Sequence, residues 1–207
     1  MRLCFFGTYD RDRPRTRVLL RGLSERGVRV TECWYSPWKE VRDKSQLRGL
    51  GEAAAVAVRY LAAMPLLVFR YLTALWRNDA VVVPYLGQID VVLAKFFALL
   101  ARKPVVFVPH VSLHETVIED RKMRSDRGFV ARFLRLVDTV SFRVSDLVIV
   151  DTEEALGHYT RRFGLHARRA VVVPVGADDH LFAPLTDTDD AGPLRVLFYG
   201  TFIPLQG

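Results

Sequence analysis

Short apolar runs alternate with longer stretches of helical period, and this rhythm repeats along most of the 207 residues. Arg2 to Gly7 is mostly apolar and closes on a glycine, as a buried parallel strand entering a turn does. Pro14 then suits a first helical turn, Val18, Leu19, Leu20 and Leu23 form an apolar stripe, and Gly27 ends the helix. Val28 to Trp34, Ala80 to Pro84, Val105 to Val108 and Leu147 to Val150 read as four further strands, and a sixth apolar run stops at Pro174. Between them lie helical patterns at Ile89 to Ala101 and Arg127 to Val144. In the latter, Phe129, Val130, Phe133, Leu134, Val137 and Val140 share one face, and Arg127, Arg132, Arg135 and Arg143 form a solvated or phosphate-attracting flank. A last helix runs to Phe163 and Gly164, with Asp151 at its N-cap and Glu154 three residues on. Such alternation predicts an α/β fold with a parallel, doubly wound sheet.

Glu52 to Trp76 departs from this rhythm, being long and apolar but interrupted by Arg59, Pro65 and Arg70. A bilayer-spanning helix needs about 20 uninterrupted apolar residues. The stretch therefore reads as a kinked amphipathic element with one side on the core and the other in solvent or against lipid. Trp34, Trp38 and Trp76, beside Lys39, Arg42, Lys44 and Arg48, fit an interfacial surface. Helices packed on the sheet beside a solvated basic loop explain the same pattern.

Half of the residues are hydrophobic, enough for a core, and a charged share of 26% argues against disorder. Cys4 and Cys33 are too few for a disulfide framework or a four-cysteine zinc site, and both fall in strands as buried reduced thiols. No secretory signal pattern opens the chain, so a reducing cytoplasmic setting is expected. The net charge of +7 admits nucleic acid, anionic lipid or phosphorylated substrates as partners. Without a zinc finger, an arginine-rich tract or an aromatic–basic motif, nucleic acid is not expected.

Candidate chemistry gathers where strands end, because ligands of open α/β sheets sit beyond the strands' carboxyl ends. The first such loop carries Gly7, Thr8 and Tyr9, with Arg13 and Arg15 as candidate anion contacts; a solvated loop with a structural Gly7 is the alternative. It lacks the three spaced glycines of the dinucleotide fingerprint. Pro109 to Lys122 is denser, with His110, His114, three carboxylates and two cations directly after a strand. The two histidines have the spacing of a metal pair, but no third ligand accompanies them and the segment reads as loop, so no metal is expected. Asp151 and Thr152 follow another strand end, where capping alone would also explain them.

The tail supplies a more specific pattern. Val171 to Gly176 is a strand meeting Pro-Val-Gly, Asp178, Phe182 and Pro184 follow, residues 186–193 are acidic and small, and Leu194 to Gly200 reads as a strand ending in a glycine turn. This order resembles the crossover between the two halves of family 4 retaining glycosyltransferases, enzymes of GT-B architecture. The resemblance implies a Rossmann-like acceptor-side domain over residues 1–185, the N-terminal half of a GT-B fold. It also implies a linker at 186–193 and the first strand of an incomplete donor-binding domain at 194–207. Ser112, Leu113, Glu115, Thr116, Asp120, Arg121 and Lys122 resemble one branch of that family.

The resemblance implies His110 or His114, with Glu115, as catalytic residues. It places Gly7, Thr8, Tyr9, Arg13, Arg15, Ser112, Thr116, Asp120, Arg121, Lys122, Asp151 and Thr152 on the acceptor, and Gly200, Thr201 and Gln206 on the donor. Gln206 stands where relatives carry a diphosphate-binding lysine. The implied reaction moves a sugar from a nucleotide sugar to a glycan or lipid-linked acceptor with retention, without a cofactor. The missing lobe would leave this chain inactive alone. The rival reading is a non-catalytic, membrane-peripheral binding or scaffold domain on an anionic surface.

Overall fold

The six apolar runs form one six-stranded, wholly parallel sheet in the computed structural model, which describes residues 1–36, 50–120, 128–179 and 181–182. The strands are β1 (Arg2–Gly7), β2 (Arg29–Trp34), β3 (Ala80–Pro84), β4 (Val105–Val108), β5 (Leu147–Val150) and β6 (Ala170–Val172), in the order β2-β1-β3-β4-β5-β6. In-register pairs such as Phe5 with Val82 and Val83 with Phe107 bring the apolar runs side by side. The helices are α1 (Pro14–Glu25), α2 (Leu50–Leu75), α3 (Gln88–Ala101), α4 (Phe129–Val144) and α5 (Glu153–Phe163).

Strand residues alternate between two layers, as the twofold period of a strand requires. Cys4, Phe6, Val81, Val83, Val105, Phe107, Val148 and Val150 face α2 to α5 and pack with Leu67, Tyr71, Ala94, Phe142 and Phe163. Leu3, Phe5, Val82 and Val108 face the other way, under Leu19, Leu20 and Leu23 of α1. Cys4 and Cys33 are buried free thiols with sulfurs 3.9 Å apart. The winding direction reverses between β1 and β3, which sets the crevice of a Rossmann-like sheet beyond those two strand ends.

Three sequence expectations are corrected by the packing. Thr152, not Asp151, caps α5, its side chain accepting from the Ala155 amide, because the Asp151 carboxylate is engaged elsewhere. Leu113 to Asp120 is helical rather than loop, with π geometry from Glu115 onward. Ser112 Oγ accepts from the Glu115 amide at 3.0 Å, and the Asp138 carboxylate of α4 accepts from the Leu113 and His114 amides at 3.0 and 2.9 Å. The otherwise orphaned donors of a first turn are thus satisfied.

The third correction concerns α4, whose buried residues are Ala131, Asp138, Ser141 and Phe142, whereas Phe129, Val130 and Phe133 are exposed. Inward-facing polar groups fix this rotation: Asp138 holds the turn, and Ser141 Oγ donates to the Gln88 carbonyl at 2.7 Å. Buried polar groups need such partners, so they outrank the apolar stripe in choosing which face turns in. Residues 37–49, the linker at 186–193 and the strand at 194–207 lie outside the described residues.

A fully buried carboxylate, Asp90 in the first turn of α3, ties the crevice together. Its Oδ2 accepts from the Thr8 amide and hydroxyl at 2.6 and 2.8 Å, and its Oδ1 from the Tyr60 hydroxyl of α2 at 2.7 Å. Gly7 has φ +131°, and a Cβ there would lie 2.6 Å from Asp90 Oδ2. Gly7→Ala therefore should lower the unfolding free energy by about 3 kcal/mol in denaturant titration. Gly22→Ala, in open space within α1, should raise it by about 0.5–1 kcal/mol.

Candidate functional site

Five side chains from four loops and helix starts line up beyond the strand ends. Arg13 and Arg15 open α1, Tyr85 follows β3, His110 follows β4 and Asp151 follows β5. Two arginines flanking Pro14 break the usual rule that a helix start prefers negative charge, and no acidic residue lies in that first turn. Positive charge is thereby concentrated where a ligand would enter.

The five groups are chained by contact. The Arg13 guanidinium stands 4.5 Å from the centroid of the Tyr85 ring, and Tyr85 meets the His110 ring edge-on at 5.7 Å. His110 Nδ1 lies 3.1 Å from Asp151 Oδ2, and the other Asp151 oxygen pairs with Arg15. Leu86, at φ 66°, makes the tight turn after Tyr85, and Gly87 packs so closely that a Cβ would meet Val83 at 2.4 Å. A cavity of about 250 Å³ opens here, walled by Arg13, Arg15, Tyr85, Val108, His110 and Val175.

Burial, then the charges of Arg15 and Arg13, push the His110 pKa below its ordinary value. The ring is therefore neutral at pH 7. With Nδ1–H donated to the Asp151 carboxylate, Nε2 carries the lone pair that can accept a proton. The Asp–His pair is thus arranged as an oriented general base, with Arg15 holding the carboxylate from its far side.

The other expected residues divide by burial. Thr8 and Tyr9 turn inward: Thr8 serves Asp90, and Tyr9 packs on Phe5 and Trp34 while its hydroxyl donates to Glu32 at 3.0 Å. Glu32 also holds Arg11 at 2.9 Å, so the first loop presents its arginines rather than its tyrosine. His114 is fully buried, its amide bonded to Asp138 and its Nδ1 3.5 Å from Arg162 Nη2, so it stands behind the cavity rather than in it. Ser112 caps the π turn, Thr116 donates to the Ser112 carbonyl, and Glu115 pairs with His158 of α5. Thr152 caps α5 from an exposed position. The side chain of Asp120, and Arg121, Lys122, Gly200, Thr201 and Gln206, lie outside the described residues.

Tyr85, Asp138 and His158 were not foreseen from the sequence. Tyr85 had one available signal, an aromatic directly after a strand at the sheet's carboxyl edge. Asp138 carried the other: a lone carboxylate on an otherwise apolar and basic helix needs a donor to face.

A Rossmann-like α/β domain with a half-open cleft at the sheet's reversal point is the class of protein that this fold and site define. A family model, Glycosyltransferase Family 4, matches residues 15–181, and the chain belongs to that family. Among solved structures it is similar to Anabaena Alr3699/HepE in complex with UDP and glucose, at 15% identity and a TM-score of 0.46. That match covers 87% of this chain and 46% of the other, so the chain spans about half the length of that structure. No curated protein sequence matches it.

Two titrations test the site. Arg15→Met should raise the His110 pKa and Asp151→Asn should lower it, both read from ring-proton chemical shifts. Asp138 provides the second: burial, only partly offset by its two amide donors, pushes its pKa up from 3.8 to about 6. The unfolded chain releases this proton near the lower value, so between the two the folded state binds more protons. The stability held below the lower value is therefore lost as pH rises toward the upper one. In Asp138→Asn that slope should shrink, by about 3 kcal/mol across the window, with lower stability overall because one amide loses its acceptor.

Proposed function

We propose that this domain binds and activates the acceptor in retaining sugar transfer from a nucleotide sugar. The single observation behind this reading is the His110–Asp151–Arg15 chain at the strand ends, beside a cavity of sugar-sized volume. Family membership supports glycosyl transfer as the reaction class.

In this reading an acceptor hydroxyl donates to His110 Nε2 and is held against Tyr85 and Arg13. Its oxygen bonds to the anomeric carbon on the same face from which the diphosphate departs, the bond from that carbon to the diphosphate oxygen breaks, and the diphosphate leaves with the electron pair, so configuration is retained. The hydroxyl proton passes to His110, whose imidazolium is stabilised by Asp151. Arg15 is bound to Asp151, so we assign stabilisation of the departing diphosphate to a donor-binding lobe rather than to this cleft. No metal or cofactor enters the scheme.

Two measurements test it. Residues 1–207 incubated with UDP-, GDP- and dTDP-sugars should release no nucleoside diphosphate, and measurable turnover would remove the division of labour. Joined to a donor-binding domain, the protein should transfer sugar, and His110→Ala should reduce kcat by about 10²–10⁴. Activity unchanged by that substitution would exclude His110 as the base.

A further inference from the structure

Three consecutive helices pack on the same side of the sheet, and each carries a second apolar stripe turned away from it. On α2 the core takes Leu67, Tyr71 and Leu75, while Leu61, Leu66 and Phe69 point outward, with Trp76 just past the helix end. On α3 the core takes Val91, Ala94 and Ala98, while Ile89, Phe96, Leu99 and Leu100 are exposed. On α4, turned by Asp138 and Ser141, Phe129, Phe133 and Leu136 are exposed. The exposures are large: Leu100 71%, Phe69 66%, Trp76 65% and Phe129 85%. Scattered apolar residues on a surface are ordinary, but three aligned stripes on neighbouring helices are not.

Among the described residues the exposed charge on these helices' outer face is positive. From Ala54 onward α2 contains no acidic residue, and Asp90 of α3 and Asp138 of α4 are both fully buried. Arg70, Arg77, Arg102 and Arg132 are exposed on or beside the same helices. The exposed carboxylates Asp79, shortly after α2, and Asp146, shortly after α4, are already paired, with Arg2 and Lys95. By length and composition Ala54–Leu75 could cross a bilayer. Its inner stripe, however, belongs to the domain core, which lays the helix along the sheet.

We infer that the outer face of α2, α3 and α4 docks this domain on an anionic lipid bilayer, with the aromatic and aliphatic stripes entering the interface and the arginines meeting headgroup phosphates. Charge complementarity selects lipid over a second copy of the chain. Two such faces pressed together would bring cations against cations, and among the described residues the carboxylates beside them, Asp79 and Asp146, are already paired within the chain. Nothing in this inference depends on the proposed sugar chemistry.

Co-sedimentation of the 207-residue chain with vesicles tests it directly. Binding should be strong to phosphatidylcholine containing roughly one-third phosphatidylglycerol, weak to phosphatidylcholine alone, and reduced by salt. Phe69→Ser with Phe96→Ser and Phe129→Ser should weaken binding at least about tenfold, because these exposed rings supply the buried area. Arg70→Glu with Arg132→Glu should weaken it at least about tenfold while leaving circular dichroism unchanged. The inference fails if the wild-type chain stays in the supernatant, or if both variants sediment undiminished. It fails equally if the wild type is a dimer in lipid-free buffer that the triple serine variant dissociates, which would assign the face to a second copy.

Discussion

Asp90 is a fully buried carboxylate held by one amide and two hydroxyls. Burial raises its pKa while those three donors oppose the rise, so its environment balances desolvation against directed hydrogen bonds. Removing the Tyr60 hydroxyl would leave Oδ1 unsatisfied and removing the Thr8 hydroxyl would leave Oδ2 with its amide donor alone, so each donor holds down the cost of the buried charge. It fixes the loop after β1 to the starts of α3 and the middle of α2. Gly7 follows from it, because only a residue without Cβ lets that backbone approach the carboxylate. The crevice at the sheet's reversal point therefore has a rigid floor.

On that floor, charge accumulates against local preference. Arg13 and Arg15 at a helix start, a strained Leu86 and a half-open histidine are each unfavourable or neutral alone. Together they make a positive cavity in which a neutral imidazole is oriented by a carboxylate. Local rules broken in one place, with a common geometric result, are what a site built for a ligand looks like.

The layer behind the site shows how a polar requirement can rotate a helix. Satisfying the first amides of the turn at Leu113 and His114 draws Asp138 inward, and Ser141 follows to reach the Gln88 carbonyl. The aromatic stripe of α4 then has nowhere to go but outward, alongside the outer stripes of α2 and α3. One buried carboxylate thus shapes both the wall of the cleft and the character of a distant surface.

The order of strands and helices was legible from period and punctuation alone: β3 and β4 have the bounds their apolar runs suggested, and Pro14 and Gly27 bracket α1. These are local properties, set by side-chain spacing and by residues with restricted or unusual backbone freedom. His110, Asp151, Arg13 and Arg15 were also visible as titratable groups at strand ends. Which of them would meet was not, because their partners lie tens of residues apart and are chosen by the sheet's strand order. Burial separates His110 from His114, four residues away, and turns Tyr9 into core and Tyr85 into cleft. Sequence determined which elements form; the tertiary structure decided which polar groups face one another, since only the packed chain sets how much water each one loses.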